Sequence, residues 1–100
     1  MASKGGYVYI VTNPTKTTLY VGVTNNLYAR IYDHKEGFGS YFTTKYKCKH
    51  LVYYEFFDRI EDAIQREKRL KKWNRQWKDD LITKFNPSWK DLHSDIEEMQ

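Results

Sequence analysis

Glu67 is the residue whose position most needs explaining. The stretch after Asp58 reads as a helix. At about 100° per residue, with Ile60 as origin, Ile64 lies at about 40°, Glu67 at about 340°, Ala63 at about 300° and Leu70 at about 280°. A carboxylate falls in the middle of an apolar stripe. Such a group must be paired, protonated or bound to a metal, because an isolated buried charge costs several kcal/mol. Two readings stand: a salt bridge to an Arg or Lys from another element, or a hard oxygen ligand for a metal ion. Upstream, Arg30 and His34 stand four apart on a second helical stretch. A guanidinium forks onto two phosphate oxygens and an imidazole titrates near neutrality, so the pair can hold a phosphate and manage a proton. The same spacing is commonplace on a solvated helix face.

Tyr9 and Tyr20 belong to adjacent strands of a predicted hairpin, and Gly22, two residues after Tyr20, removes a side chain on the same face. That leaves room for a ligand's backbone. A tyrosine hydroxyl can orient or deprotonate water where a neighbouring cation or metal assists it, although packing explains most of the nine tyrosines. Lys45, Lys47 and Lys49, interleaved with Tyr41, Phe42 and Tyr46, resemble a surface that grips phosphates and stacks on bases. Lys68, Arg69, Lys71 and Lys72 form a second basic run on the polar side of the Glu67 helix. Trp73, Trp77 and Trp89 read as anchors between helices.

The elements that must position these residues follow from local chemistry. Tyr7 to Thr12 is β-branched or aromatic on both faces, as in a strand buried on both sides. Asn13-Pro14-Thr15-Lys16 supplies a turn, and Thr18 to Thr24 a returning strand. Asn25 or Asn26 caps a helix from Leu27 to Glu36, stopped by Gly37. Residues 37–50 read as a loop with one helical turn, and Leu51 to Phe57 as a third strand. Asp58 followed by Glu61 outlines a capping box for a helix running to Trp73. Gln76 to Phe85 forms another helix, stopped by Asn86-Pro87, and Ser88 with Asp91 starts a short terminal one. The expected fold is α+β, a three-stranded, mainly antiparallel sheet flanked by helices.

One hundred residues with 40% hydrophobic content fit a single domain over residues 1–100, with an acidic C-terminal tail. Basic residues outnumber acidic ones seven to three in residues 1–57 and nine to six in 58–85, and fall to one against four in 86–100. A basic body suits a polyanionic partner. Cys48, the single cysteine, excludes an internal disulfide, and no Cys/His spacing suggests zinc. No apolar run is long enough for a membrane span or a signal peptide, so a soluble protein of the reducing cytoplasm is expected.

In order along the chain, Tyr7-Val8-Tyr9, Tyr20-Val21-Gly22, Arg30, His34 and Glu67 resemble the GIY-YIG nuclease domain. More closely, YVYI, LYVGVTNNLYAR, HKEG, FTTKY, LVYYE, AIQREKRLKKW and NPSW are similar to its small stand-alone bacterial branch, over roughly residues 7–92. The resemblance implies endonucleolytic hydrolysis of DNA phosphodiesters with one divalent metal, Mg2+ or Mn2+. Glu67 takes the metal-ligand position, Arg30 the phosphate-binding position, Tyr20 that of the water-orienting tyrosine or general base, Tyr9 that of its supporting tyrosine, and His34 that of a proton-transfer group. Lys45, Lys47, Lys49, Lys71 and Asn86 are expected to bind nucleic acid. Asn86 or Asn74 corresponds to the family's late asparagine, with Asn86 preferred. Tyr7 stands where the family has glycine, and Val23 where some relatives have lysine. The implied partners are duplex or branched DNA, a second copy of the chain to cut both strands, and a repair or recombination partner. The alternative is a catalytically weak nucleic-acid-binding module that serves such a partner.

Overall fold

The computed structural model describes residues 5–99. Strand β1 (Gly6–Thr12) lies between β2 (Leu19–Thr24) and β3 (His50–Phe57), and pairs antiparallel with both. The apolar character of both β1 faces thus reflects its central position. Its register with β3 shifts after Ile10: Ile10 faces Tyr53 and Val11 faces Leu51, which leaves Val52 as a bulge. The bulge lets Leu51 join one face of the sheet while Val52 and Tyr53 join the other.

Helix α1 (Leu27–Glu36) covers the first face, where Leu27 and Ile31 pack with Tyr9, Val11 and Leu51. Asn26 Oδ1 accepts from Ala29 N–H at 3.1 Å to cap its start, and Gly37, at φ 84°, takes the left-handed conformation that ends it. The helical turn in the following loop is α2 (Tyr41–Lys45). Helices α3 (Ile60–Lys72) and α4 (Arg75–Phe85) cover the second face through Ala63, Leu70 and Ile82, packed with Val8, Ile10 and Val52. Trp73 and Trp77 meet edge to face at 5.8 Å at the α3–α4 corner. Among the described residues no helix is long and apolar enough to cross a membrane.

Two expected starts differ from the structure. The capping box at Asp58 does not form. Arg59 is the N-cap of α3 and makes no side-chain cap bond; Glu61 pairs with Arg59 at 3.6 Å, and the acidic Glu61 and Asp62 complement the helix dipole instead. Nor does a helix begin at Ser88. Asp91 Oδ1 accepts from Leu51 N–H at 3.2 Å and from His93 N–H at 3.0 Å, Asp91 Oδ2 pairs with Lys35, and the terminal helix is a 3-10 segment at Ser94–Met99. With Leu92 N–H donating to Leu51 O at 2.8 Å, this segment caps the outer edge of β3 at Leu51. Burial alone would push Asp91 up, but the Lys35 ammonium and the N–H groups of His93 and Leu51 outweigh it and hold its carboxyl below the usual range.

Candidate active site

Tyr9 lies opposite Gly22 in the β1–β2 register. Its ring is so close that a β-carbon at position 22 would fall 2.4 Å from the phenol oxygen. The space expected for a ligand's backbone is filled by this phenol. The Tyr9 hydroxyl meets His34 Nε2 at 2.9 Å, and His34 Nδ1 lies 3.1 Å from Thr43 Oγ1 on α2. Thr43 has one hydroxyl proton, which it donates to Ser40 O at 3.1 Å, while its oxygen accepts from Ser40 Oγ at 3.2 Å. The proton between His34 and Thr43 is therefore on Nδ1. That leaves Nε2 as acceptor for the Tyr9 O–H.

His34 is buried, 3% exposed. Burial, reinforced by the Arg30 charge, pushes its pKa down to about 4. Burial also raises Tyr9, with Tyr20 and Glu67 adding to the rise and Arg30 opposing it. A neutral imidazole and an intact phenol are the result near pH 7. Arg30 itself is exposed, and no salt bridge among the described residues engages it.

Tyr20 is half-buried, its ring edge-on to His34 at 6.1 Å and 5.9 Å from Phe42 of α2. Lys71 Nζ sits 5.7 Å from the Tyr20 ring centroid and 3.1 Å from Glu67 Oε2. Tyr20 packs with the α1 layer, whereas Lys71 and Glu67 belong to α3 on the opposite face. Their contact wraps around β2, the sheet edge on this side.

Glu67 is not centred on the buried stripe. Ala63 and Leu70 are fully buried while Ile64 is 37% exposed, so the docked face centres between the first two and Glu67 lies on its flank. Its side chain is 15% exposed. A salt bridge does form, but from Lys71 one turn along the same helix and not from another element. A pair of this kind contributes about 0.3–0.5 kcal/mol, so it does not commit the carboxylate. Among the described residues no group of three or more His, Cys, Asp or Glu converges. A lone rim carboxylate fits Mg2+ or Mn2+, hard ions that keep several waters and are held by one or two carboxylates with substrate phosphate.

The remaining expected residues separate into surface and interior. Lys45 and Lys47 are exposed and Lys49 half-buried, around α2. Lys71 joins the Tyr20–Glu67 cluster, as above. Asn86, expected to bind nucleic acid, is buried instead, 4% exposed. Its Nδ2 donates to Val52 O at 3.2 Å and Lys90 O at 2.9 Å, and its Oδ1 accepts from Lys90 N–H at 3.3 Å. Asn74 caps α4 by accepting from Trp77 N–H at 2.9 Å. Both asparagines are spent on the fold. Thr43 was not foreseen: nothing local shows that this threonine of the loop after α1 turns in toward His34.

The family model of the GIY-YIG catalytic domain matches residues 5–80. A UPF0213 protein of Clostridium perfringens is 42% identical over 77 residues, covering 77% of this chain and 82% of the relative. One of Staphylococcus haemolyticus is 40% identical over 76 residues, covering 76% and 92%. One of Bacillus pumilus is 34% identical over 76 residues, covering 76% and 78%. No solved structure matches the chain.

Proposed function

Because the chain belongs to the GIY-YIG family, a nuclease superfamily, we propose that it is a divalent-metal-dependent endonuclease that hydrolyses phosphodiester bonds in DNA. The observation that carries this reading is the convergence of Tyr9, Tyr20, His34, Lys71 and Glu67 through successive contacts, with the Arg30 charge acting on both Tyr9 and His34. These residues come from four elements and from both faces of the sheet.

In this reading Arg30 forks onto the scissile phosphate and stabilises charge that grows on its oxygens. The Tyr20 hydroxyl, the half-exposed phenol of the pair, orients the water whose oxygen attacks phosphorus as the bond to the leaving oxygen breaks. The attacking water gives up its proton to solvent and the leaving oxygen takes one from solvent, while the Tyr9 hydroxyl stays fixed by its bond to His34 Nε2, the other ring nitrogen of which is held by Thr43. His34 is thus a positioning residue that acts through Tyr9. Glu67 would hold Mg2+ or Mn2+, which when bound supplies positive charge to offset that on the phosphate and leaving oxygen. Lys71 is released from Glu67 to meet a neighbouring phosphate.

The test is cleavage of plasmid, single-stranded and branched DNA in Mg2+, Mn2+ or EDTA by wild type, Glu67→Ala and Arg30→Ala. Metal-dependent cleavage that disappears in both variants is expected. Binding without cleavage on every substrate would leave a nucleic-acid-binding module, and equal cleavage by Glu67→Ala would remove its metal role. Full activity in Tyr20→Phe together with its loss in His34→Ala would settle preparation of the water against the tyrosine.

A further inference from the structure

Beside Tyr20 the surface changes character. Phe42 touches Tyr20, and Tyr46 lies 4.7 Å from Phe42. Beyond them Tyr41 is 81% exposed and Phe38 76%. Neither of these last two rings packs on another aromatic among the described residues. Their backbone is nonetheless anchored: Phe38 N–H donates to Asp33 O at 2.8 Å, Thr44 Oγ1 donates to Gly37 O at 3.2 Å, and Ser40 caps the turn that carries Tyr41. Rings left in water on a fixed backbone contribute little to the core, but they keep a flat apolar face ready for another flat group.

The charge around the rings narrows what that group is. Residues 37–54 contain three lysines and no acidic residue. Lys45 Nζ stands 5.9 Å from the Tyr41 ring centroid and 5.4 Å from that of Tyr46, so an ammonium accompanies the rings. Aromatic faces interleaved with cations suit a strand whose bases stack while its phosphates pair with lysines. Bases stacked inside a duplex do not offer their faces.

We propose that the α2 platform, formed by Phe38, Tyr41, Phe42 and Tyr46 with Lys45, binds unpaired nucleobases that flank the scissile phosphate, and so directs the enzyme to single-stranded or unpaired segments. The proposal rests on the nuclease reading for the position of the scissile phosphate, while the platform's binding is separable from cleavage. Charge complementarity and continuity with Tyr20 favour a nucleic-acid strand over a protein surface as occupant.

The experiment measures binding in EDTA, where cleavage plays no part, using fluorescently labelled oligonucleotides: single-stranded DNA, the same sequence as RNA, a blunt duplex, and a duplex with an unpaired 2-aminopurine bulge. Phe38→Ala, Tyr41→Ala and the double variant alter only exposed rings, and circular dichroism confirms their folding. Wild type should bind single-stranded and bulged probes at least tenfold more tightly than the duplex, with 2-aminopurine fluorescence quenched on binding. Each ring removed should weaken binding to unpaired probes by roughly tenfold, while duplex binding stays unchanged. The DNA and RNA probes decide which strand supplies the bases. Equal affinity for duplex and unpaired probes, or an unaltered double variant, would overturn the platform even if metal-dependent cleavage persists. Loss of self-association in the double variant by sedimentation, with nucleic-acid binding intact, would overturn it in favour of a protein contact. Absence of any nucleic-acid binding by wild type in EDTA would overturn this inference, while the nuclease reading stands or falls separately on metal-dependent cleavage.

Discussion

Acidification from pH 7 to pH 4 should weaken the fold specifically through His34. In the unfolded chain this imidazole takes a proton near pH 6.5, whereas in the folded protein burial and Arg30 defer protonation to about pH 4. Between those values the unfolded chain binds more protons, so stability is fully present above about pH 6.5 and falls as the pH drops toward 4. The difference corresponds to about 3 kcal/mol, at roughly 1.4 kcal/mol per pH unit. The structural cost is plain: protonation puts a hydrogen on Nε2, where the Tyr9 O–H now donates at 2.9 Å, and one of the two must turn away. Urea denaturation at pH 7, 6, 5 and 4 should be run on wild type and on His34→Gln, which has no titrating ring, so that the acidic residues cancel in the comparison. With m-values of about 1–3 kcal/mol per M, the wild-type midpoint should fall by roughly 1–3 M more than that of the variant. An NMR titration of the His34 ring in wild type supplies the same quantity if the variant does not fold. Parallel pH profiles, or a ring that titrates at or above pH 6.5, would refute the reasoning.

Gly22→Ala should displace the Tyr9 ring, because its β-carbon would fall 2.4 Å from the phenol oxygen. A loss of roughly 1–3 kcal/mol in thermal melts and a fall in cleavage are expected together. Asn86→Ala should cost at least about 2 kcal/mol by leaving the Val52 and Lys90 carbonyls and the Lys90 N–H without partners. It should leave nucleic-acid affinity, measured under conditions where the variant is folded, unchanged. Asp91→Ala removes the acceptor from the Leu51 N–H and the counter-ion from Lys35. It should destabilise by roughly 1–3 kcal/mol and speed hydrogen exchange at the Leu51 amide.

What the sequence made legible was local. The turn chemistry at Asn13-Pro14, the cap at Asn25 or Asn26, which the structure gives to Asn26, and the stop at Gly37 involve groups a few bonds apart, and the strands and α1 lie within a residue of their expected limits. The GIY-YIG resemblance was legible because its residues keep a fixed order and spacing. The α3 start was misjudged because Asp58-Arg59-Ile60-Glu61 satisfies a capping pattern equally well when the chain turns one residue later. Glu67 was placed at the centre of its stripe because periodicity alone cannot tell which apolar residues dock: Ala63 meets the sheet and Ile64 faces solvent. The use of the space over Gly22, the turn of Thr43 toward His34 and the burial of Asn86 depend on partners from 13, 9 and 34 residues away. No local propensity encodes such meetings.

The hydrogen bonds that Asp91 and Leu92 make to Leu51 close the outer edge of β3 at that residue. A strand with unpaired N–H and C=O groups is a template on which a second copy can add, the first step of edge-to-edge aggregation. Here β3 is capped at Leu51 by the chain's own tail, from residues beyond the 5–80 span that the family model matches. A version trimmed to that matched span would keep every candidate catalytic side chain, yet it would bare the Leu51 N–H and C=O as a template for a second copy and lose Ile82 from the core.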